Sequence, residues 1–145
     1  YVVGPADQPA PPGQVPLRDL AGMDLFLARP YNVVRKMVDE AFAGIGLAPR
    51  VVAEIESAST LTAVIAEGLG ATILPESMAR TVVASCNAWQ CRIVEPSIEA
   101  PLALCQSDHL PLTEPAQAIK DILLELVASL PGSLIAPDDV RLSVS

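Results

Sequence analysis

The sequence predicts an α/β fold in which helices pack on a mostly parallel sheet, and three observations lead to this class. Hydrophobic residues make up 51% of the chain and aromatic residues only 3%. A core must therefore be built from Ala, Val, Ile and Leu, as in helices packed on a buried parallel sheet. Strand-like and helix-like segments also alternate along the chain, and the short connections between them favour right-handed βαβ units.

The amino-terminal segment is predicted as a strand, an exposed connector and a second strand. Residues 1–6 are apolar and end in turn residues, whereas residues 8–18 carry four prolines. Proline fixes φ and removes a backbone donor, so this stretch is expected to be extended and exposed. A short helical turn then precedes a predicted strand from Met23 to Leu27, which stops at Pro30.

Three helices alternate with strands in the middle of the chain. Apolar residues recur at helical spacing after Asn32, and two glycines supply the stop. A strand over 50–55 precedes a helix with Ser57 as its expected N-cap. The further predicted elements are a strand over 71–74, a helix over 76–84, a strand over 91–94, a strand over 102–107 and a helix over 113–130. The inward stripe of the last helix is predicted to consist of Ile119, Ile122, Leu123, Leu126 and Val127.

The charge distribution argues against nucleic-acid binding by this chain. The formal net charge is −8, and the nine basic residues are scattered, with no run longer than Arg35-Lys36. Phosphate backbones are bound by clustered Lys and Arg. No segment approaches the roughly 20 apolar residues of a membrane span.

The residue inventory gives little support to catalysis, to a metal site or to a cofactor. Cys86, Cys91 and Cys105 are odd in number and lack metal-ligand spacing, and the single histidine, His109, lies in a predicted loop. No nucleophile elbow or phosphate-binding loop occurs. No cofactor or metal is therefore expected.

The polar stretch after residue 53 is the first candidate binding region. In an open parallel sheet, ligands bind beyond the carboxyl ends of strands, where helix N-termini offer free N–H groups. Ser57, Ser59 and Thr60 lie at such a position and are expected either to cap the helix or to bind a ligand. Glu54 and Glu56 share one face of the predicted strand. They are expected either to line a ligand cleft or to be solvated carboxylates.

The second candidate region, residues 28–32, follows the preceding strand. Arg29 and Tyr31 flank Pro30 there, as a planar donor and an aromatic lid. The alternative for Arg29 is a surface ion pair with Glu54 or Glu56. Because an anionic ligand would also meet those two glutamates, the local charge favours a neutral, amine-bearing or absent ligand unless Arg29 compensates.

Several stretches resemble the effector-binding domain of LysR-type transcriptional regulators. They are VPLRDLAGMDLFL, RPYNVVRKMVDEAFAGIGLAPRVV, EIESASTLTAVIAEGLGATILPES and PLTEPAQAIKDILLELV. The resemblance covers about residues 1–130 and is strongest with the branch of the family that controls nitrogen assimilation.

This resemblance implies a periplasmic-binding-protein-like fold of type 2 with two lobes. Residues 20–94 would form a complete lobe II with a mostly parallel sheet. Residues 1–8 and 101–130 would form part of lobe I. Residues 9–19 and 95–100 would be hinge segments, and residues 131–145 a tail. The DNA-binding domain would precede Tyr1 and be absent from this chain.

The resemblance also implies a cytoplasmic, non-enzymatic regulator that forms dimers or tetramers and contacts promoter DNA through that missing domain. A small coinducer would bind between the lobes, although the nitrogen-control branch can act without one. Lobe II would contribute seven candidate residues: Arg29, Tyr31, Asn32, Glu56, Ser57, Ser59 and Thr60. The rival interpretations are a periplasmic-type solute-binding protein and an α/β enzyme with the same lobes.

Overall fold

The computed structural model describes residues 1–100, 104–107 and 109–129. They form two compact units, one before and one after about residue 102. The predicted tail, residues 131–145, lies outside the described residues. No helix in the described ranges has the length and apolar content needed to cross a bilayer.

The first unit is built on strands with helices between them. The strands are β1 (Val2–Pro5), β2 (Gln14–Pro16), β3 (Leu25–Leu27), β4 (Val51–Glu54), β5 (Thr72–Ile73) and β6 (Ala88–Val94). The helices are α1 (Val33–Gly44), α2 (Ala58–Ala66) and α3 (Glu76–Ser85), with a short 3₁₀ turn at Leu17–Leu20. The predicted alternation of four strands and three helices is therefore confirmed for β3 to β6.

All strands except β1 run in one direction. Four strands pair in the order β2-β6-β1-β5, and β3 pairs with β4. A parallel bridge between Leu25 and Ala71 joins the two sheets. Strands β2 and β6, and β3 and β4, are parallel, whereas β1 is antiparallel to both β5 and β6. The α/β class is confirmed, but the sheet is mixed because a reversed strand runs through its middle.

The placement of β1 corrects the predicted division into lobes. Residues 1–8 were expected to belong with residues 101–130, yet Val2 pairs with both Ile73 and Cys91. Val2 and Val3 are fully buried. The strand is thus an inner member of the sheet that also contains β5 and β6, and residues 1–8 belong to the same unit as residues 20–94.

The predicted connector, residues 8–18, also contains structure that the prolines concealed. Strand β2 pairs with β6, and Val15 and Leu17 are buried. The edge position of β2 explains how it tolerates prolines, because an edge strand has one side free of ladder hydrogen bonds. Only the part of this segment before Gln14 is an irregular loop.

The two faces of the sheet carry separate apolar clusters, as expected from the alternation of side chains along strands. On one face, Val38 and Phe42 of α1 pack with Val2 and Leu25. On the other face, Ile65 of α2 and the residues of α3 pack with Val3. Helix α1 therefore covers one face, while α2 and α3 cover the other.

The second unit contains helix α4 (Glu114–Ala128), which begins where the sequence predicts. The predicted strand over 102–107 is wrong for residues 104–107, which have no regular structure, and residues 102 and 103 lie outside the described residues. No residue of α4 is buried. Its predicted stripe is exposed at Ile119, Ile122, Leu123 and Leu126 and half-buried at Val127.

Candidate functional site

A cavity of about 110 Å³ lies at the carboxyl edge of the first unit. It is lined by residues at the ends of β3, β4 and β5, in the first two turns of α1 and in the first turns of α2 and α3. Its walls are mostly apolar. The polar residues that line it are Asn32, Arg35, Glu56, Ser57 and Thr72. Parallel strands bring their carboxyl ends to one edge, so the sheet direction alone brings these segments together.

Asn32 lines the cavity and begins helix α1. Its Oδ1 accepts a hydrogen bond of 2.9 Å from the Val34 amide, and its extended backbone is that of an N-cap. The cap satisfies one of the helix's free donors. Asn32 therefore has a structural task beside any contact with a ligand.

Ser57 plays the same part at helix α2. Its Oγ accepts a hydrogen bond of 3.4 Å from the Thr60 amide and lies 2.9 Å from Ser59 Oγ. The predicted N-cap is confirmed. Ser59 and Thr60 are exposed and do not line the cavity. Helix α3, by contrast, starts after Pro75 without a side-chain cap.

Glu56 joins the two candidate loops. Its Oε1 accepts a hydrogen bond of 2.8 Å from the Arg29 backbone amide. The alternative considered for Arg29, an ion pair of its side chain with Glu54 or Glu56, is not formed. The described residues offer its guanidinium neither a salt bridge nor a hydrogen bond. Tyr31 is 65% exposed. Neither the Arg29 nor the Tyr31 side chain lines the cavity.

Arg35 is a cavity residue that the sequence interpretation missed. Its Nε lies 3.0 and 2.9 Å from the two Asp39 carboxylate oxygens, and its Nη1 donates to the Ala28 carbonyl at 2.8 Å. Glu54 Oε1 is 3.4 Å from the same Nη1. With its side chain only 11% exposed, Arg35 fastens helix α1 to the end of β3. The i,i+4 spacing of Arg35 and Asp39 was the available signal.

The electrostatics of the cavity mouth follow from these contacts. Arg35 is neutralised by Asp39 and Glu54, which leaves the Glu56 carboxylate as the remaining charge on the lining. An anion about 5 Å from Glu56 would be repelled by about 3 kcal/mol at an effective dielectric of about 20, before screening by solvent.

Helix N-termini attract anions and so oppose the repulsion by Glu56. A helix N-terminus attracts an anion by roughly 0.3–1 kcal/mol, and the first turns of α1 and α2 already bind the side-chain oxygens of Asn32 and Ser57. The attraction by one helix terminus is therefore smaller than the unscreened repulsion by Glu56.

The structure divides the seven predicted site residues into two groups. Asn32, Glu56 and Ser57 line the cavity, whereas Arg29, Tyr31, Ser59 and Thr60 lie outside its lining. Two polar lining residues, Arg35 and Thr72, were not among the candidates. Thr72 follows the two glycines that precede β5 and showed no local signal, because its burial depends on the strands beside it.

Metal binding has no support in the described part of the chain. No group of three or more His, Cys, Asp or Glu side chains is placed there to hold a metal ion.

Comparison with known proteins relates the chain to transcriptional regulators. Relatives include the nitrogen assimilation regulatory protein nac of Klebsiella aerogenes, 48% identical over 129 residues, covering 88% of this chain and 41% of that protein. The corresponding protein of Escherichia coli K12 is 42% identical over 130 residues, covering 89% of this chain and 42% of its own length. The chain thus spans about two fifths of the curated relatives it matches.

Solved structures share the fold at lower identity. The effector-binding domain of QuiR in complex with shikimate has a TM-score of 0.65 at 21% identity, covering 86% of this chain and 59% of that one. HinK, a LysR family regulator from Pseudomonas aeruginosa, has a TM-score of 0.68 at 23% identity, covering 86% and 43%. The regulatory domain of CcmR from Synechocystis PCC6803, in complex with 2-PG, has a TM-score of 0.66 at 23% identity, covering 86% and 61%.

The comparison with family models is decisive for the family. A model described as the LysR substrate binding domain matches residues 1–128, which is most of the chain. This match agrees with the stretches in which the sequence resembles LysR-type regulators and with the α/β unit of the structure. The chain therefore belongs to the family of LysR substrate-binding domains.

Proposed function

We propose that this chain is the effector-binding and regulatory part of a bacterial LysR-type transcriptional regulator that controls nitrogen assimilation genes. The observation that carries the nitrogen assignment is the 48% identity with the nac protein of Klebsiella aerogenes. The family match favours a regulator over a periplasmic solute-binding protein with a similar fold.

We propose that the cavity at the carboxyl edge is this chain's part of the effector site. Support comes from its apolar walls and from the few polar groups that converge on it, a combination typical of small-molecule sites. Asn32, Glu56 and Ser57 would contact the effector directly. Arg29, Tyr31, Ser59 and Thr60 would contact only a portion that projects beyond the cavity.

The partners of the whole regulator follow from the same proposal. Promoter DNA would be contacted by residues outside this chain, because the chain has a net charge of −8 and no basic cluster. The regulator would act in the cytoplasm as a dimer or tetramer, and it would catalyse no reaction.

The experiment that tests this proposal uses the complete regulator to which the chain belongs. We expect it to bind promoter DNA of nitrogen assimilation genes, with an affinity that falls as salt rises. Deletion of its gene should change the transcription of those genes when the nitrogen supply changes. A complete regulator that binds none of these promoters, with transcription unchanged by the deletion, would contradict the proposal.

The residues are tested by alanine substitution in the same regulator. Arg29→Ala and Thr60→Ala should alter the transcriptional response to nitrogen supply if an effector reaches the rim of the cavity. The matched control is Thr62→Ala on α2, whose hydroxyl donates to the Ala58 carbonyl and does not line the cavity. An unchanged response under every nitrogen condition would remove Arg29 and Thr60 from the effector site.

A further inference from the structure

The charges around the cavity restrict the chemical class of its ligand. We propose that the cavity accepts a small apolar molecule that carries a hydrogen-bond donor, with a primary amine as the best match, and that Glu56 excludes carboxylates and phosphates. This inference rests on the proposed function, because it concerns the same effector site.

The size and the walls of the cavity define the body of the ligand. A volume of about 110 Å³ has room for about four water-sized groups. Leu27 and Val38 line it from one side of the sheet, and Leu61 and Met78 line it from α2 and α3. A short alkyl chain would fill this space and remove apolar surface from water.

The carboxylate of Glu56 defines the polar end of the ligand. One oxygen is fixed by the Arg29 amide at 2.8 Å, so the carboxylate has a defined position at the cavity. Among the described residues, its second oxygen has no hydrogen-bond partner. An ammonium group offers three donors, and its hydrogen bond to a carboxylate is strengthened by charge.

Three of the donors that could hold an anion at the cavity are already occupied by the chain's own oxygens. Glu56 accepts a hydrogen bond from the Arg29 amide. Asn32 accepts one from an amide of α1, and Ser57 accepts one from an amide of α2. The guanidinium of Arg35, the cation on the lining, is bound to Asp39. Glu56 therefore accepts an N–H group that a ligand carboxylate could otherwise use.

Thr72 provides an independent indication that the cavity takes a polar group. It is the single polar residue among the buried residues of the described part of the chain, at 1% exposure, and it lines the cavity. Its hydroxyl forms no hydrogen bond with any described residue. A hydroxyl at the cavity wall without a protein partner can form a hydrogen bond with a polar group of the ligand.

Three probes with four carbon atoms each separate charge from size: butylamine, butan-1-ol and butyrate. Each is titrated against this chain at constant ionic strength, and the amide signals of Arg29, Ser57 and Thr72 are followed by NMR. We expect butylamine to bind at least about tenfold more tightly than butyrate, with butan-1-ol between them.

Glu56→Gln is the decisive variant, because its amide oxygen can still accept the Arg29 N–H while the charge is lost. In this variant butylamine should bind about tenfold more weakly than in the parent, and butyrate should bind at least as tightly as butylamine. The matched control is Glu40→Gln on the exposed surface of α1, which changes the net charge equally and should leave the order of the probes unchanged.

Two results would overturn the inference in distinguishable ways. If butyrate binds the parent chain as tightly as butylamine, the charge rule is wrong, while the cavity remains a ligand site. If no probe perturbs the cavity amides in either chain, the cavity is not a site for this class of molecule. Neither result touches the regulator's binding to promoter DNA, which is tested separately.

Discussion

Helices α1 and α4 are both amphipathic, but the apolar face of α1 is buried and that of α4 is exposed. In α1, Val38 is 1% exposed and Phe42 is fully buried. In α4, Ile119 and Ile122 are 59% and 56% exposed. The two helices have a similar sequence pattern, so the difference arises from what lies beside them. Helical periodicity predicts which face of a helix is apolar, but it does not supply the surface that covers this face.

The difference in burial between the two helices also affects their stability. Helices of about 15 residues or fewer are marginal in water unless an apolar face is packed. Helix α1 has the sheet beneath it, whereas α4 has no buried residue. We therefore expect the first unit to unfold cooperatively and α4 to contribute little to its stability.

The largest expected effect comes from truncating a buried ring. Phe42→Ala should lower the free energy of unfolding by about 3–5 kcal/mol, because it removes buried apolar surface and leaves a cavity. Ile122→Ala on α4 is the matched control and should change it by less than about 0.5 kcal/mol. Urea denaturation followed by Trp89 fluorescence measures both. Equal losses would show that α4 is packed as tightly as α1.

A smaller effect is expected from adding one methyl group to β1. A Cβ at Gly4 would overlap the ring of Trp89, whose Nε1 donates to the Gln8 carbonyl at 3.1 Å. Gly4→Ala should therefore cost about 1–3 kcal/mol.

Gly44→Ala is the control for Gly4→Ala, because a Cβ at Gly44 would meet nothing within 4 Å. It should be neutral or stabilise by up to about 1 kcal/mol, since alanine restricts the unfolded chain. Thermal unfolding of the two variants decides the matter. A Gly4→Ala variant as stable as the parent would mean that β1 is not held tightly between β5 and β6.

The smallest expected change in the free energy of unfolding comes from removing a helix cap, and it should differ between the two units. Asn32 caps α1, and Thr113 caps α4 through its Oγ1. Asn32→Ala should lower the unfolding free energy of the first unit by about 1 kcal/mol. Thr113→Ala should leave that value unchanged and reduce only the helical circular dichroism signal. If Thr113→Ala shifts the main unfolding transition as far as Asn32→Ala, α4 unfolds together with the first unit.

The local features of the fold could be predicted from the sequence, and the long-range ones could not. The N-cap at Ser57 and the start of helix α1 after Asn32 were predicted correctly, because both depend on residues within one turn. Strand β1 was assigned to the wrong lobe because its pairing of Val2 with Cys91 joins distant parts of the chain. Strand β2 was missed because its prolines, tolerated on an edge strand, resemble those of an exposed connector.

The candidate site shows the same difference between local features, which could be predicted, and long-range features, which could not. Glu56 was recognised as a candidate cleft residue from its place at a strand end, and it lines the cavity. The hydrogen bond from the Arg29 amide to Glu56, and the contact of Arg35 with the Ala28 carbonyl, depend on how two loops meet in the fold. Side-chain spacing in the sequence carries no information on such contacts.

Amide hydrogen exchange of this chain is the most direct test of the contrast between its two units. We expect the amides of Val38 and Phe42 to be protected almost to the global free energy of unfolding, because they open only when the core opens. The amides of Ile122 and Leu123 should exchange with little protection at low protein concentration. Protection of α4 equal to that of α1 at every protein concentration would contradict the contrast.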